Sequence, residues 1–460
     1  MRRTTTLTTL ALTGALSLTA LVGTSPASAA VTCDGKVATI VVPTPPGEIT
    51  DVTETAPVTG TPGDDVIVGT EARDTIDGAG GNDTICALGG DDTVRGGEGD
   101  DRLFGGLDGV YVPDDDFWGD LVVPGPGDDY VDLGHDPQAE DLDPVDRGYW
   151  DQVSFRDATG PVTVDLVAGT ATGEGTDTIA PIVFAAGIEG SAHDDTLRGT
   201  DKDDFINAGG GDDVVDGRGG DDLIDADRIT APPYAPAPAE PGDDVVHGGP
   251  GADEIRAGHG ADRVHGDEGR DEVVLEQGER AKAWGGPGRD SLGAWGFAGS
   301  GSGTSELVGG AGNDLLFPGL TSAADQVLVR GGAGRDTLAP NTSLAVAPHK
   351  SRIVVRVPDR TMTVKAGTLV RFGGIEKYDF NSQSSSARIR WFGSGRAETF
   401  DAEGQDVGVR AFGAGGNDAL QGGYGTDLLD GGRGRDTIDG GEGRDRCLHG
   451  EKLSRCEVRR

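Results

Sequence analysis

An aspartate returns every ninth residue from Asp65 through Asp74, Asp83 and Asp92 to Asp101. The same spacing recurs at Asp195, Asp204, Asp213 and Asp222, at Asp244, Asp253, Asp262 and Asp271, and at Asp418, Asp427, Asp436 and Asp445. Carboxylates are hard oxygen donors. A regular file of them suits a hard divalent cation and suits zinc or copper poorly, because those metals favour nitrogen and sulfur. Two residues after almost every one of these aspartates stands an aliphatic side chain, as in Ile67, Ile76, Ile85, Val94 and Leu103.

The units that carry them are nonapeptides. From Gly60 five run without a gap: GTPGDDVIV, GTEARDTID, GAGGNDTIC, ALGGDDTVR and GGEGDDRLF. Further arrays begin at Gly190, Ala239 and Gly413. Glycines near positions one, two and four allow a tight reversal and close backbone approach, and the last three residues are extended. Alternation along a strand then turns the eighth side chain inward and its neighbours to solvent, so one aliphatic per repeat builds the core.

Around these arrays the chain is acidic, with 79 Asp and Glu against 39 Lys and Arg, a formal net charge of −40. Direct nucleic-acid binding is excluded on this balance, and multivalent cations are the natural partners. Arg2 and Arg3, an apolar run from about Leu7 to Val22, and Ala27-Ser28-Ala29 read as a secretory signal peptide. Its removal takes two arginines and no acid, so −40 becomes −42. The apolar run is too short to span a membrane, which predicts a secreted, extracellular protein. In an oxidising compartment Cys33, Cys86, Cys447 and Cys456 are expected to form two disulfides. Of the three formal pairings, Cys33 with Cys86 and Cys447 with Cys456 needs no link across the whole chain.

The registered arrays resemble the hemolysin-type, or RTX, calcium-binding repeat GGxGxDxUx. The resemblance implies an all-β fold, a parallel β-roll or β-helix solenoid, in which two repeats make one coil of eighteen residues and turns two repeats apart stack. It implies Ca²⁺ held by the position-six carboxylates and turn carbonyls. If each array closes its own stack, n repeats give roughly n−2 full sites, hence about nine ions. Isolated repeats at Asp129, Asp290, Asp314 and Asp336 follow the same grammar, mark a solenoid interrupted by longer excursions, and are further candidate Ca²⁺ ligands. The leading repeats are poor in glycine, with Thr61, Thr70, Ala72, His193 and Lys202 at its usual columns, and are expected to be capping coils whose ligation at Asp74, Asp195 and Asp204 is in doubt.

This reading divides the chain into a leader (1–29), an N-terminal strand and linker (30–59), a first array (60–104) and an insertion with lead-in strands (105–189). A second array (190–225), a Pro/Ala-rich loop (226–238), a third array (239–274), irregular β-coils (275–412), a fourth array (413–448) and a C-terminal cap (449–460) follow. Residues 31–42 are expected to form a strand stapled onto the first coils. From 349 to 396 the composition turns basic, with Arg352, Arg356, Arg371, Arg388 and Arg390 among others; this is either the solvated face of degenerate coils or a face for an anionic ligand such as a cell-wall polymer.

There is no HExxH and no GxSxG, and His247, His259 and His265 are expected on exposed repeat surfaces. Asp114, Asp115 and Asp116 beside Phe117 and Trp118 read as an acidic surface loop. The expectation is a non-enzymatic, Ca²⁺-dependent structural or adhesive module that contacts a cell-surface or extracellular glycan. The alternative is a polysaccharide lyase or hydrolase on a β-helix scaffold, with 290–406 as its place.

Overall fold

Each Asp-x-aliphatic triplet marks the start of a short strand. In Thr75–Asp77 the central Ile76 is fully buried while Thr75 is exposed, and Thr93–Arg95 and Leu223–Asp225 bury Val94 and Ile224 in the same way. The computed structural model describes residues 30–45, 53–107, 119–134, 151–183, 185–227, 242–276, 280–295, 304–319, 326–340, 352–364, 369–381 and 388–459. The expected leader, the acidic loop at 114–118 and residues 228–238 of the Pro/Ala-rich loop lie outside these residues. Among the described residues there is no helix, and hence none that could cross a membrane.

Successive strands fall alternately into two sheets. One sheet runs from Val58–Thr59 to Lys452–Ser454, and every pairing in it is parallel. The other runs from Ile40–Val41 to Val458–Arg459. Within arrays the register steps by eighteen residues, as in Ile67 with Ile85 and Ile85 with Leu103. Across an insertion the next aliphatic still lands in the same file: Leu103 pairs with Val131 and Val215 with Val246. The four arrays and the isolated repeats therefore stack in one roll, and the insertions leave it at the turns.

The second sheet departs from parallel pairing twice, with the same topology each time. Between Tyr130–Gly134 and Thr196–Arg198 it holds the antiparallel meander Thr163–Asp165, Thr170–Thr172 and Thr176–Ile179. Between Gln326–Gly334 and Arg388–Phe392 it holds Arg352–Arg356, Thr361–Val364 and Leu369–Gly373. Each meander adds two strands that the first sheet lacks, each about 4.8 Å wide, so the sheets cannot stay in step there. At the second meander large side chains fill the difference: Phe372, Tyr378, Phe380, Trp391 and Phe400 are buried in one cluster with ring centroids 5.5–5.8 Å apart. Regular coils make do with one aliphatic per repeat.

Both ends are stapled as the cysteine positions predict, Cys33 to Cys86 and Cys447 to Cys456. The N-terminal segment is more than the single strand expected. Thr32–Cys33 and Lys36–Val37 form a hairpin over Asp34-Gly35, both at positive φ as a two-residue turn requires, and Ile40–Val41 then joins the second sheet beside Val66–Val68.

Candidate metal centre

The turns between strands stack backbone against backbone. A Cβ on Gly269, at position four of its repeat, would lie 1.4 Å from the carbonyl oxygen of Gly251 one coil earlier, so no other residue fits there. Position one is glycine for a different reason than the conformational freedom expected from sequence, since its φ is not positive. A Cβ on Gly78 would sit 2.3 Å from Asp83 Oδ2 and 2.4 Å from the Gly96 carbonyl oxygen; on Gly413 it would sit 2.3 Å from Asp418 Oδ2 and 2.4 Å from the Gly431 oxygen. The missing side chain leaves space where a carboxylate of one coil and a carbonyl of the next converge.

Position-six aspartates form two ladders, one before each sheet. The N–H of each donates to Oδ1 of the aspartate one coil on: Asp65 to Asp83 at 2.8 Å, Asp83 to Asp101 at 2.8 Å, Asp101 to Asp129 at 2.7 Å and Asp129 to Asp177 at 3.1 Å. The opposite ladder runs Asp74, Asp92, Asp120, Asp151. After the first meander new runs link Asp195, Asp213, Asp244 and Asp262, and Asp204, Asp222, Asp253, Asp271, Asp290, Asp314, Asp336 and Glu376. After the second they link Glu398, Asp418, Asp436 and Glu451, and Asp427, Asp445 and Glu457. Every aspartate expected from sequence, including the four in isolated repeats, is a rung. Position-five side chains make a separate exposed ladder onto backbone N–H groups, as Asp64 does to Asn82.

The ladder uses one carboxylate oxygen, and the other divides the turns into two kinds. In the open kind, Oδ2 is buried with no hydrogen-bond partner. This holds for sixteen aspartates: Asp83, Asp92, Asp101, Asp129, Asp177, Asp213, Asp222, Asp244, Asp262, Asp271, Asp290, Asp314, Asp336, Asp418, Asp436 and Asp445. Asp120 and Asp253 hold the same place beside Gly105 and Gly248. Wherever position two of an open turn is described its φ is positive, from 68° at Asp267 to 139° at Gly173, and even Leu88, Arg218, Ala79 and Ala414 adopt it.

In the capped kind, position two is Ser or Thr and turns its N–H and hydroxyl onto the carboxylate. Thr61 N and Oγ1 lie 2.6 and 2.8 Å from Asp65 Oδ2, and Thr70 N and Oγ1 lie 2.6 and 3.1 Å from Asp74 Oδ2. Ser191 caps Asp195, Thr200 caps Asp204 and Ser394 caps Glu398 in the same manner. None of these position-two residues has a positive φ, which a β-branched residue strongly disfavours. Asp427 is capped by the Gly423 N–H alone at 2.9 Å. Each capped acid is the first of its run. At the N-terminal end, where no earlier rung exists, the hydroxyls of Thr39 and Thr55 donate to Oδ1 of Asp65 and Asp74.

Burial raises the carboxyls of the open turns and also most of the capped ones, Asp195, Asp204, Asp427 and Glu398 among them; Asp65 is the capped acid that is lowered. In the open turns burial pushes Asp83 to about 6, Asp101, Asp129 and Asp418 to about 7, and Asp92, Asp213 and Asp222 to about 9, with neighbouring carboxylates adding to the effect. Asp65 is held below the usual range by the Thr61 N–H. At Asp204 burial outweighs the Thr200 cap and the carboxyl rises to about 7. A buried carboxylate with an unpaired oxygen is costly unless a cation supplies the missing partner, and the surrounding donors are all oxygen. The open turns therefore fit Ca²⁺.

Sequence reasoning missed the rungs Asp120, Asp151, Asp177, Glu376, Glu398, Glu451 and Glu457. Six of them share a signal shorter than the nonapeptide, an acid two residues before an apolar side chain in or packed against the core, as in Asp120-Leu121-Val122 and Glu398-Thr399-Phe400; Glu457 has Arg459 at that place and lacks the signal. Sequence reasoning also left unforeseen that His247 and His265, expected on exposed repeat surfaces, meet each other there. The structure stacks their rings 4.5 Å apart with Trp284 next in line at 4.4 Å, half-exposed on the outer face of the second sheet.

A two-sheet roll, parallel but for the two meanders, with oxygen-lined stacked turns defines a calcium-type β-roll. The family model described as the RTX calcium-binding nonapeptide repeat (4 copies) matches residues 59–94, 87–109, 189–224, 239–273, 300–320 and 412–447. The chain thus carries several copies of the RTX repeat, a repeat that binds Ca²⁺. No curated protein matches it.

Proposed function

We propose that one Ca²⁺ sits at each open turn and none at the capped turns. On this reading the metal-binding carboxylates are those of the sixteen open aspartates, with Asp120 and Asp253 in equivalent places, while Asp65, Asp74, Asp195, Asp204 and Asp427 close the ends of the ladders. The observation that carries the proposal is the buried, unpaired Oδ2 facing a carbonyl of the next coil. The count rises above the nine drawn from sequence because the ladders run through the insertions instead of ending with each array. Each ion would take its oxygens from two successive coils, so binding and stacking are one event. Sixteen to eighteen ions carry roughly +32 to +36, offsetting most of the self-repulsion of a mature chain at −42.

The role that follows is that of a secreted, non-enzymatic structural or adhesive module, unfolded where calcium is scarce and folded outside the cell. One buried aliphatic per nine residues is a small core, and this supports dependence on the metal. Calorimetric titration of the chelator-treated full chain with Ca²⁺, followed in parallel by circular dichroism, tests the reading. Cooperative uptake with a gain of β signal at high-micromolar to millimolar Ca²⁺ is expected; uptake without a change of β signal would overturn the coupling.

A further inference from the structure

The two meanders share a topology but not an outer face. The first presents Thr163, Thr170, Thr172, Thr176 and Thr178, and its one outward acid, Asp165, is paired with Arg218 at 2.9 Å. The second and the strands beside it present arginine. In the parallel register Arg352 stands directly beside Arg388, and Arg390 beside Arg410; Arg371 and Arg356 flank Thr361 one row away. Like charges in register repel, and the twin meander shows that the topology does not require them. Among the described residues none of these six guanidinium groups has an acidic partner, in a chain with twice as many acids as bases. At one end of the face lies a cavity of about 720 Å³ lined by Arg330, Arg360 and Arg371, with Asp359 as its one acid. Gly373 leaves the room in which Arg360 lies over the sheet.

We propose that this face binds a linear polyanionic saccharide laid along the roll, with the cavity receiving its end. Guanidinium groups recognise carboxylate and sulfate through paired hydrogen bonds. Strands about 4.8 Å apart repeat at close to the length of one sugar unit, so successive arginines meet successive anionic groups. The aromatic residues of the face do not offer a stacking platform for bases: Phe392 and Phe412 are stacked on each other at 5.3 Å, and Arg356 covers Phe392 at 4.8 Å. That favours a saccharide over a single-stranded nucleic acid. The proposal is independent of the calcium count, since it needs only the folded roll.

The test uses the full, Ca²⁺-loaded chain with four probes of similar length: a hexuronate oligosaccharide, a sulfated oligosaccharide, a neutral oligosaccharide and oligo-dT. Binding to one or both anionic saccharides is expected, weakening with salt, and Arg356→Gln/Arg390→Gln/Arg410→Gln is expected to weaken it by about tenfold or more. A Lys triple variant at the same positions is expected to retain part of the affinity, and Thr172→Gln on the first meander all of it. Circular dichroism of each variant in Ca²⁺ reports the fold separately. Equal binding of the neutral probe, tighter binding of oligo-dT, or an unchanged affinity in a folded triple Gln variant would overturn the proposal.

Discussion

The Thr70–Asp74 turn and the Gly97–Asp101 turn belong to opposite ladders of one array and share the ladder bond from a backbone N–H to Oδ1. They differ at position two. Thr70 closes the second oxygen with its own N–H and hydroxyl, whereas Gly97, at φ 104°, gives its N–H to the Pro124 carbonyl and leaves Asp101 Oδ2 bare. A protein donor does at one turn what a cation is proposed to do at the other. Because the closed turns begin each run, the roll has three starting points, after the N-terminus and after each meander, whose carboxylates are satisfied without metal. Runs of open turns extend from them.

Removing calcium should separate the two kinds most strongly. In chelator the open runs are expected to lose most of their β signal, while amide exchange stays slowest around Asp65, Asp74, Asp195 and Asp204; uniform exchange throughout the chain would erase the distinction. Acid should do part of what calcium does. A carboxyl whose pKa is raised by folding favours the folded chain while protonated, so its contribution is full below about pH 4 and is lost as pH rises through about 6 to 9. The chelated protein is therefore expected to gain β signal between pH 8 and pH 4.5, and the Ca²⁺ concentration for half-folding is expected to rise as pH falls, because the ion needs ionised ligands. A flat pH profile in chelator would contradict the burial of these groups.

Single substitutions sharpen the contrast. Asp222→Asn should reduce bound Ca²⁺ and lower the melting temperature in Ca²⁺, whereas Asp74→Asn should leave the ion count intact and cost about 1–3 kcal/mol from its hydrogen bonds. The smallest effect is expected for Thr70→Val, which deletes the hydroxyl but keeps the N–H: about 1 kcal/mol by denaturant titration, with no change in Ca²⁺. A Thr70→Val protein that loses an ion would place metal at the closed turn.

Much of this was legible in the sequence because the nonapeptide fixes local geometry: the position-six acid, the inward eighth residue, and cysteines placed to staple neighbouring coils. Thr61 and Thr70 stood out as departures from glycine, but their meaning lies in which way the N–H points, and spacing does not encode that. The continuity of the ladders was hidden because the register is restored in space after loops of any length. Asp101 and Asp129, or Asp129 and Asp177, are adjacent rungs although 28 and 48 residues apart. The meanders were hidden for a related reason. Their alternating strands show in the sequence, yet only pairing reveals that the middle strand of each runs backwards and brings the arginines into register.

The most direct measurement is the number of Ca²⁺ ions held at saturation by the full chain, read by native mass spectrometry. The account expects about sixteen to eighteen, one for each open turn among the described residues, a number unchanged in Asp74→Asn and lower in Asp222→Asn. A count near nine, or equal losses from the two variants, would mean that each array closes its own ladder and that the open and capped turns are not distinct.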